Sequence, residues 1–414
     1  MSGIRPGGRW LILSQYYHPE LGAPQVRLRA FARELSRRGF HVDVVTALPN
    51  YPAGRIFPGY QGRWWLREGV DDARVRRVWL YANAGRSTPK RLANYLTFTL
   101  TATVACLLGR RPDIVFVESQ PLTLGFVALL MKHLRGVPFV YNVPDLQIDV
   151  ARQLGFVANE RFLRIAGRME HIFMRQAWKV ATVTHRFIDH FEHLGVSQEK
   201  ITFLPNGADT EFLRPVPASD ELTRRWQLRG KKAFLYVGTH GYYHGLEVVI
   251  EAASLLQSRP DIVFLLVGQG PERERLRDMA QTRRLDNVVF GDSPYDERPE
   301  LYSIAWASVV PLRDFEAAQA MRPAKLFPSL SCGVPVIYSG RGETAHLIEA
   351  NRCGIVARPN DPSALAEAVT RLAGDAHLRD SMGRAGRALV EAEYDWGTIV
   401  ERWLEALGRT PVLT

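Results

Sequence analysis

Residues 233–271 read AFLYVGTHGYYHGLEVVIEAASLLQSRPDIVFLLVGQGP, and this stretch decides the fold. Ala233–Val237 is a short apolar run that suits a buried parallel strand. A loop rich in glycine and histidine follows, then a helical pattern over Leu246–Gln257. Ile262–Val267 is a second apolar run, closed by Gly268-Gln269-Gly270-Pro271, where Pro271 suits a first helical turn. Strand, loop, helix and strand in that order predict a parallel sheet covered by helices.

The same rhythm extends in both directions. Toward the C-terminus it predicts helices at Glu272–Arg283 and Pro299–Trp306. Strands are expected at Val288–Phe290, Ser308–Pro311, Pro335–Tyr338 and Gly354–Val356. Toward the N-terminus, Trp10–Gln15, His41–Ala47, Asp113–Glu118, Pro138–Val143, Trp178–Thr184 and Ile201–Leu204 read as strands. Helices Gln25–Arg38 and Leu122–Arg135 lie among them. Two such runs in 414 residues predict an α/β protein of two Rossmann-like domains. The turn at Pro205-Asn206-Gly207 sets the boundary, giving domains 1–206 and 207–394. An amphipathic helix at 395–414, with Trp396, Ile399, Trp403 and Leu407 on one face, is expected to pack back on the first domain.

Charge is unevenly shared. Residues 1–206 hold 28 Lys and Arg against 15 Asp and Glu, whereas residues 207–414 hold 25 against 28. The basic half predicts an acidic partner, either phosphate groups or an anionic membrane. The basic residues are dispersed and no helix-turn-helix or RNA-binding pattern appears, which argues against nucleic acid. Cys106, Cys332 and Cys353 are an odd, scattered set without CxxC spacing, so neither a disulfide framework nor a zinc site is expected. That usage predicts a reducing, cytoplasmic setting. The run Trp10–Leu13 is too short for a signal peptide. Leu92–Gly109, diluted by threonines and Asn94, reads as a packed helix short of a bilayer span, suited to lying near a membrane surface. Trp64, Trp65 and Trp79 sit among arginines in Arg55–Arg91, a mixture suited to a lipid-phosphate interface or to a core hairpin with solvated charges.

Ligands in open parallel sheets bind beyond the carboxyl ends of the strands, so the loops there are the candidate sites. Gly22-Ala23 precedes the first helix and lets backbone approach a phosphate. Gly238, Thr239, His240 and His244 occupy the loop of the opening stretch. Gly268 and Gly270 form a second strand-to-helix turn. Arg322 and Lys325 flank Pro323, a suitable helix start, so two cations and a helix dipole are expected to converge on one anion. The first glycine loop is not GxGxxG, which counts against a dinucleotide dehydrogenase.

Taken together these segments resemble glycosyltransferase family 4. FLPNGADTEFLRP at 203–215 is similar to its interdomain signature. LLVGQGPERERL at 265–276, CGVPVI at 332–337 and GETAHLIEANRCGIVARPND at 342–361 match further family segments in order and spacing. PELGAPQVRLRAFARELSRRGFHVDVVTALPNYPAG at 19–54 resembles a branch that builds bacterial surface polysaccharides, including lipopolysaccharide. The resemblance implies a GT-B fold of two facing Rossmann-like domains with a deep cleft. It also implies a nucleotide-sugar donor on the C-terminal domain and an acceptor on the N-terminal one. Transfer would retain the anomeric configuration, without a metal or another cofactor.

The departures from the family pattern shape the site assignment. Thr239 and His244 stand where members carry Arg and Lys, and Ala320 and Pro328 where they carry two Glu. Pro144, followed by Asp145, stands where a His is common. The resemblance therefore assigns the missing cations to Arg322 and Lys325, a catalytic polar role to Asp145 or Glu118, and a donor contact to Glu343. The implied activity is retaining transfer of a hexosyl or N-acetylhexosaminyl group. The donor would be a UDP-sugar and the acceptor a lipid-linked sugar, at the inner face of the cytoplasmic membrane. Two alternatives stay open: a UDP-sugar epimerase of the same fold, and a catalytically weakened subunit that partners another transferase.

Overall fold

The computed structural model describes residues 5–83, 87–157 and 159–408. The chain divides into two compact units, residues 1–205 with 399–414, and residues 206–398.

The N-terminal unit is built on eight strands. They are β1 (Arg9–Leu13), β2 (His41–Ala47), β3 (Trp65–Val70), β4 (Ala73–Val78), β5 (Ile114–Glu118), β6 (Phe139–Val143), β7 (Lys179–Thr182) and β8 (Ile201–Phe203). Their order across the sheet is β3-β4-β2-β1-β5-β6-β7-β8. Every pairing is parallel except β3 with β4, which form an antiparallel hairpin at the edge. This is the hairpin that one reading of Arg55–Arg91 expected, although the alternating Arg and Val in ARVRRV give no continuous apolar run. The pattern is nonetheless that of an edge: Ala73, Val75 and Arg77 point inward while Arg74 is exposed.

Helices of this unit are α1 (Ala23–Arg37), α2 (Thr88–Leu108), α3 (Leu124–Arg135), α4 (Gln147–Gln153) and α5 (Glu160–Gln176), followed by His185–His193. The C-terminal helix Trp396–Gly408 delivers Trp403 to the core, where its ring meets Trp10, Phe31 and Phe116. Its indole N–H donates to the Thr202 hydroxyl at 3.1 Å, which satisfies a buried donor. Residues 409–414 of the expected C-terminal helix, and residues 84–86 of the aromatic and basic stretch, lie outside the described residues.

Six parallel strands make the second unit: β9 (Lys232–Val237), β10 (Ile262–Val267), β11 (Val288–Gly291), β12 (Ala305–Pro311), β13 (Val336–Ser339) and β14 (Gly354–Ala357). Their order is β11-β10-β9-β12-β13-β14. β10 is buried along its whole length, as expected of a strand covered on both faces. In both sheets the winding reverses once, at β1/β5 in the first and at β9/β12 in the second. Such reversals open a crevice at the carboxyl ends of the strands. They place the two clusters described next. The three cysteines are free and buried.

Candidate functional site

In the second unit, the loop leaving β9 carries Gly238–Gly245 across the reversal point. Tyr236 is fully buried near the end of β9, and its hydroxyl donates to the Thr239 carbonyl at 2.6 Å. With its one proton spent there, that hydroxyl must accept from the Lys325 ammonium 3.0 Å away. Lys325 also reaches His244 Nδ1 at 3.2 Å. An ammonium has three protons, so two such bonds leave one for a ligand. No carboxylate pairs with Lys325 among the described residues. Desolvation pushes its pKa down to about 7.

Both histidines of the loop are neutral at pH 7. Burial, then Lys325 and His240, hold His244 well below the usual imidazole range. Burial, then Arg273 and Lys325, push His240 down to about 4. His240 is fully buried, and both its ring nitrogens lack a hydrogen-bond partner. An unsatisfied buried polar group costs about 1–3 kcal/mol. The cluster is thus short of negative charge and of acceptors at one place.

Gly268 and Gly270 serve the geometry of this loop. Both have positive φ, 141° and 156°. A Cβ on Gly268 would strike the Gly238 carbonyl, and one on Gly270 would strike the His240 backbone. These glycines let the turn after β10 lie against the turn after β9, where the His240 N–H donates to the Gln269 carbonyl at 2.9 Å. Gly238 in turn lies against the Lys325 stem.

Arg322 and Lys325 do not converge on a helix start at Pro323. The helix begins at Leu326, with Lys325 at its cap. Arg322 instead forms a short ion pair with Glu343, in which both side chains are largely buried. Its guanidinium also lies 5.7 Å from the Tyr394 ring, at the end of a π-helical turn over Val390–Tyr394. Glu343 opens the helix Glu343–Ala350 beyond β13. The pair braces the loop that carries Lys325, helped by Thr344, whose hydroxyl donates to the Met321 carbonyl.

The first unit has a different cluster at its own reversal point. Glu118, the last residue of β5, is fully buried. It pairs with Arg27 of α1 through one oxygen and accepts from Asn142 Nδ2 at 2.9 Å through the other. Asp145 follows β6 and is half-buried. It accepts a long hydrogen bond, 3.4 Å, from Gln120 Nε2. Desolvation outweighs Arg27 and lifts its pKa to about 6. Gly22 caps α1 in extended backbone, with Ala23 as the first helical residue, and no side chain caps that terminus. A Cβ on Gly22 would meet the buried amide of Gln25.

Sequence reasoning missed Tyr236, which reads as an ordinary core residue of a strand. It also missed Glu20, a buried carboxylate that accepts the N–H groups of Asn50 and Tyr51 at 2.7 and 2.8 Å. Tyr16 and Tyr51, whose rings pack edge-on at 5.6 Å beside β1, were likewise unremarked.

Residues 22–207 match the model of the glycosyl transferase 4-like domain, and residues 219–389 match that of the glycosyl transferases group 1. The chain is a group 1, family-4-like glycosyltransferase. The Escherichia coli K12 glycosyl transferase WcaI, named for colanic acid biosynthesis, is 29% identical over 343 residues, which are 81% of this chain and 84% of the relative. Among solved structures, sucrose-phosphate synthase of Thermosynechococcus elongatus superposes with a TM-score of 0.76. It is 21% identical and covers 97% of this glycosyltransferase and 98% of its own chain. The Anabaena protein HepE in complex with UDP-glucose gives 0.73 at 16% identity, covering 97% and 100%. These likenesses show that the transferase has the GT-B fold.

Proposed function

We propose that this glycosyltransferase moves a hexosyl or N-acetylhexosaminyl group from a UDP-sugar to a lipid-linked sugar, with retention, in the synthesis of a bacterial surface polysaccharide. The C-terminal unit holds the donor and the N-terminal unit the acceptor. The observation that carries this reading is Lys325, a cation with a spare proton and no carboxylate, fixed at the β9/β12 reversal point. A departing diphosphate needs preorganised positive potential, and Lys325 supplies it. Thr239 and the backbone beside Gly238 line the same loop. The relative named for colanic acid biosynthesis supports the pathway class, and the UDP-glucose complex of a protein of the same fold supports the donor class.

Asp145 is the side chain placed to act on the acceptor. At neutral pH a carboxyl with a pKa of about 6 is mostly ionised, so it accepts and orients an acceptor hydroxyl. A group titrating near neutrality suits proton transfer. Glu118 acts through Arg27 and Asn142 as a positioning residue, because both of its oxygens are occupied. The enzyme works in the cytoplasm, peripheral on the inner face of an anionic membrane.

The test is transfer of labelled sugar from a UDP-sugar panel to lipid-linked glycans extracted from membranes. The expected result is acceptor-dependent transfer with the donor's anomeric configuration kept. Interconversion of the UDP-sugar without acceptor would point to the epimerase. No turnover with any donor would point to the partner subunit.

A further inference from the structure

We propose that α2, α3 and α5 together form one lipid-facing surface, by which the N-terminal unit lies on an anionic bilayer with these helices in the plane of the interface. The proposal rests on the lipid-linked acceptor argued above, and it names the face that meets the membrane.

The helix α2 is the longest part of that surface. Its inner stripe, Phe98, Ala102 and Cys106, is fully buried. Its outer stripe repeats every four residues: Leu92, Leu96, Leu100, Val104 and Leu108 are all exposed, Leu100 by 68% and Leu108 by 83%. Residues four apart lie on one helix face, so a protein in water would place polar groups there. The window Pro89–Leu108 is by length and composition apolar enough to cross a bilayer, with a mean hydropathy of 1.2. In the sequence its threonines dilute the apolar run. Thr97, Thr99 and Thr103 each donate back to the carbonyl four residues earlier, and Thr101 donates to the Trp79 carbonyl, which removes their hydroxyls from the count of unsatisfied polar groups. Because the inner stripe is packed into the unit, we place α2 along the membrane surface rather than through it.

The two neighbouring helices continue the face. α3 exposes Phe126, Leu130 and Leu134, and α5 exposes Phe162, Ile165 and Ile172. The three are locked side by side. Thr99 and Thr123 hydroxyls meet at 2.6 Å, Arg135 donates to the carbonyls of Cys106 and Gly109, and Phe126 meets Phe173 edge-on at 5.0 Å. Scattered exposed apolar residues need no explanation, but a contiguous apolar sheet of them marks an interaction surface.

The charges select the occupant. Neither α2 nor α3 contains an Asp or Glu. Lys90 and Arg91 stand at one end of α2, and Arg110 and Arg111 follow its other end, all exposed. α5 adds exposed Arg161, Arg164, Arg168 and Arg175 against Glu160 and Glu170. A second copy of the chain packed on this face would set like charges against each other. An anionic headgroup layer neutralises them, with each basic residue contributing about 1 kcal/mol near the surface. Trp79 ties the aromatic hairpin to the same region: its carbonyl accepts from Thr101, and its ring packs at a tilt against Trp64, 4.9 Å between centroids.

The experiment is flotation of the full chain with phosphatidylcholine vesicles, with and without phosphatidylglycerol, in the absence of any donor. The wild type should float with the anionic vesicles only. Leu100→Glu/Leu134→Glu and Arg164→Glu/Arg168→Glu should each reduce the bound fraction by ~10-fold or more, while keeping the wild-type melting curve. Leu255→Glu, at another exposed leucine in the second unit, should float like the wild type. The proposal is overturned if the two helix-face variants float unchanged. It is equally overturned if sedimentation shows a dimer of the wild type that both variants dissociate while flotation persists. Flotation without transfer would keep this surface and reject the reaction proposed above; transfer to a water-soluble acceptor without flotation would do the reverse.

Discussion

The two reversal points occupy the same place in two sheets of the same design, yet they are filled in opposite ways. At β1/β5 the buried charges are closed on one another, with Arg27 on Glu118 and Glu118 on Asn142. At β9/β12 a cation stands with a phenol and a neutral imidazole, and neither ring nitrogen of a buried histidine has a hydrogen-bond partner. In the first, the Arg27 and Glu118 charges balance within the protein. The second leaves a cation uncompensated, which is what the proposed donor site needs. A fold that permits either shows that the proposed anion site depends on which side chains are left uncompensated, and not on the topology alone.

The largest effect should come from opening the balanced cluster. Glu118→Gln leaves the Arg27 guanidinium buried without its counter-charge, a loss of about 3–5 kcal/mol. The melting midpoint should fall by roughly 10 °C in calorimetry, with UDP affinity unchanged in the protein that remains folded. An unaltered midpoint would remove the contrast, since Arg27 would then have needed no partner. Next comes Asp145→Asn, which keeps the shape and removes the charge. It should lower kcat by about 100-fold and leave donor affinity as it was. Full activity in that variant would make Asp145 part of the scaffold, like Glu118.

A smaller effect sharpens the other side. The Lys325 ammonium has a pKa of about 7 in the empty protein, and a bound diphosphate raises it. Binding therefore takes up a proton above pH 7. Affinity for a UDP-sugar should be full below pH 7 and fall by up to tenfold per pH unit above it. The sign follows from the charged form being the one that binds. Lys325→Arg, which stays charged, should flatten the profile in titration calorimetry. A flat wild-type profile would mean that Lys325 is already charged, or that it does not touch the phosphates.

Much of the fold was legible in the sequence. The apolar runs at Ile262–Val267 and Asp113–Glu118 can be little other than buried parallel strands, and glycine-bearing turns mark the ends of several of them. The β3–β4 hairpin was legible only as one of two readings of Arg55–Arg91, because alternating arginines hide which residues form its inward face. The outer stripe of α2 was hidden for the opposite reason. A leucine turned to the outside has the same letter as one turned to the core, and only the packed structure separates Leu100 from Phe98. In the candidate site, Lys325 and His244 could be named as residues, but they are 81 positions apart, and Tyr236 is 89 from Lys325. Sequence offers no signal for their meeting. Nor could it show that Arg322 is spent on Glu343, because both read as loop residues beside a helix start.

The central claim is that Lys325 is held ready for the diphosphate of a nucleotide sugar. Its most direct test is thermal stabilisation by UDP, GDP and ADP and their sugars, for the wild type and for Lys325→Ala. A ligand present at ~100 times its dissociation constant adds about 2.7 kcal/mol. We expect one base, uridine, to raise the wild-type midpoint selectively, and Lys325→Ala to lose ~10–100-fold in affinity, the worth of a charge-assisted hydrogen bond. Equal stabilisation of wild type and variant, or none of either by any nucleotide, would contradict it.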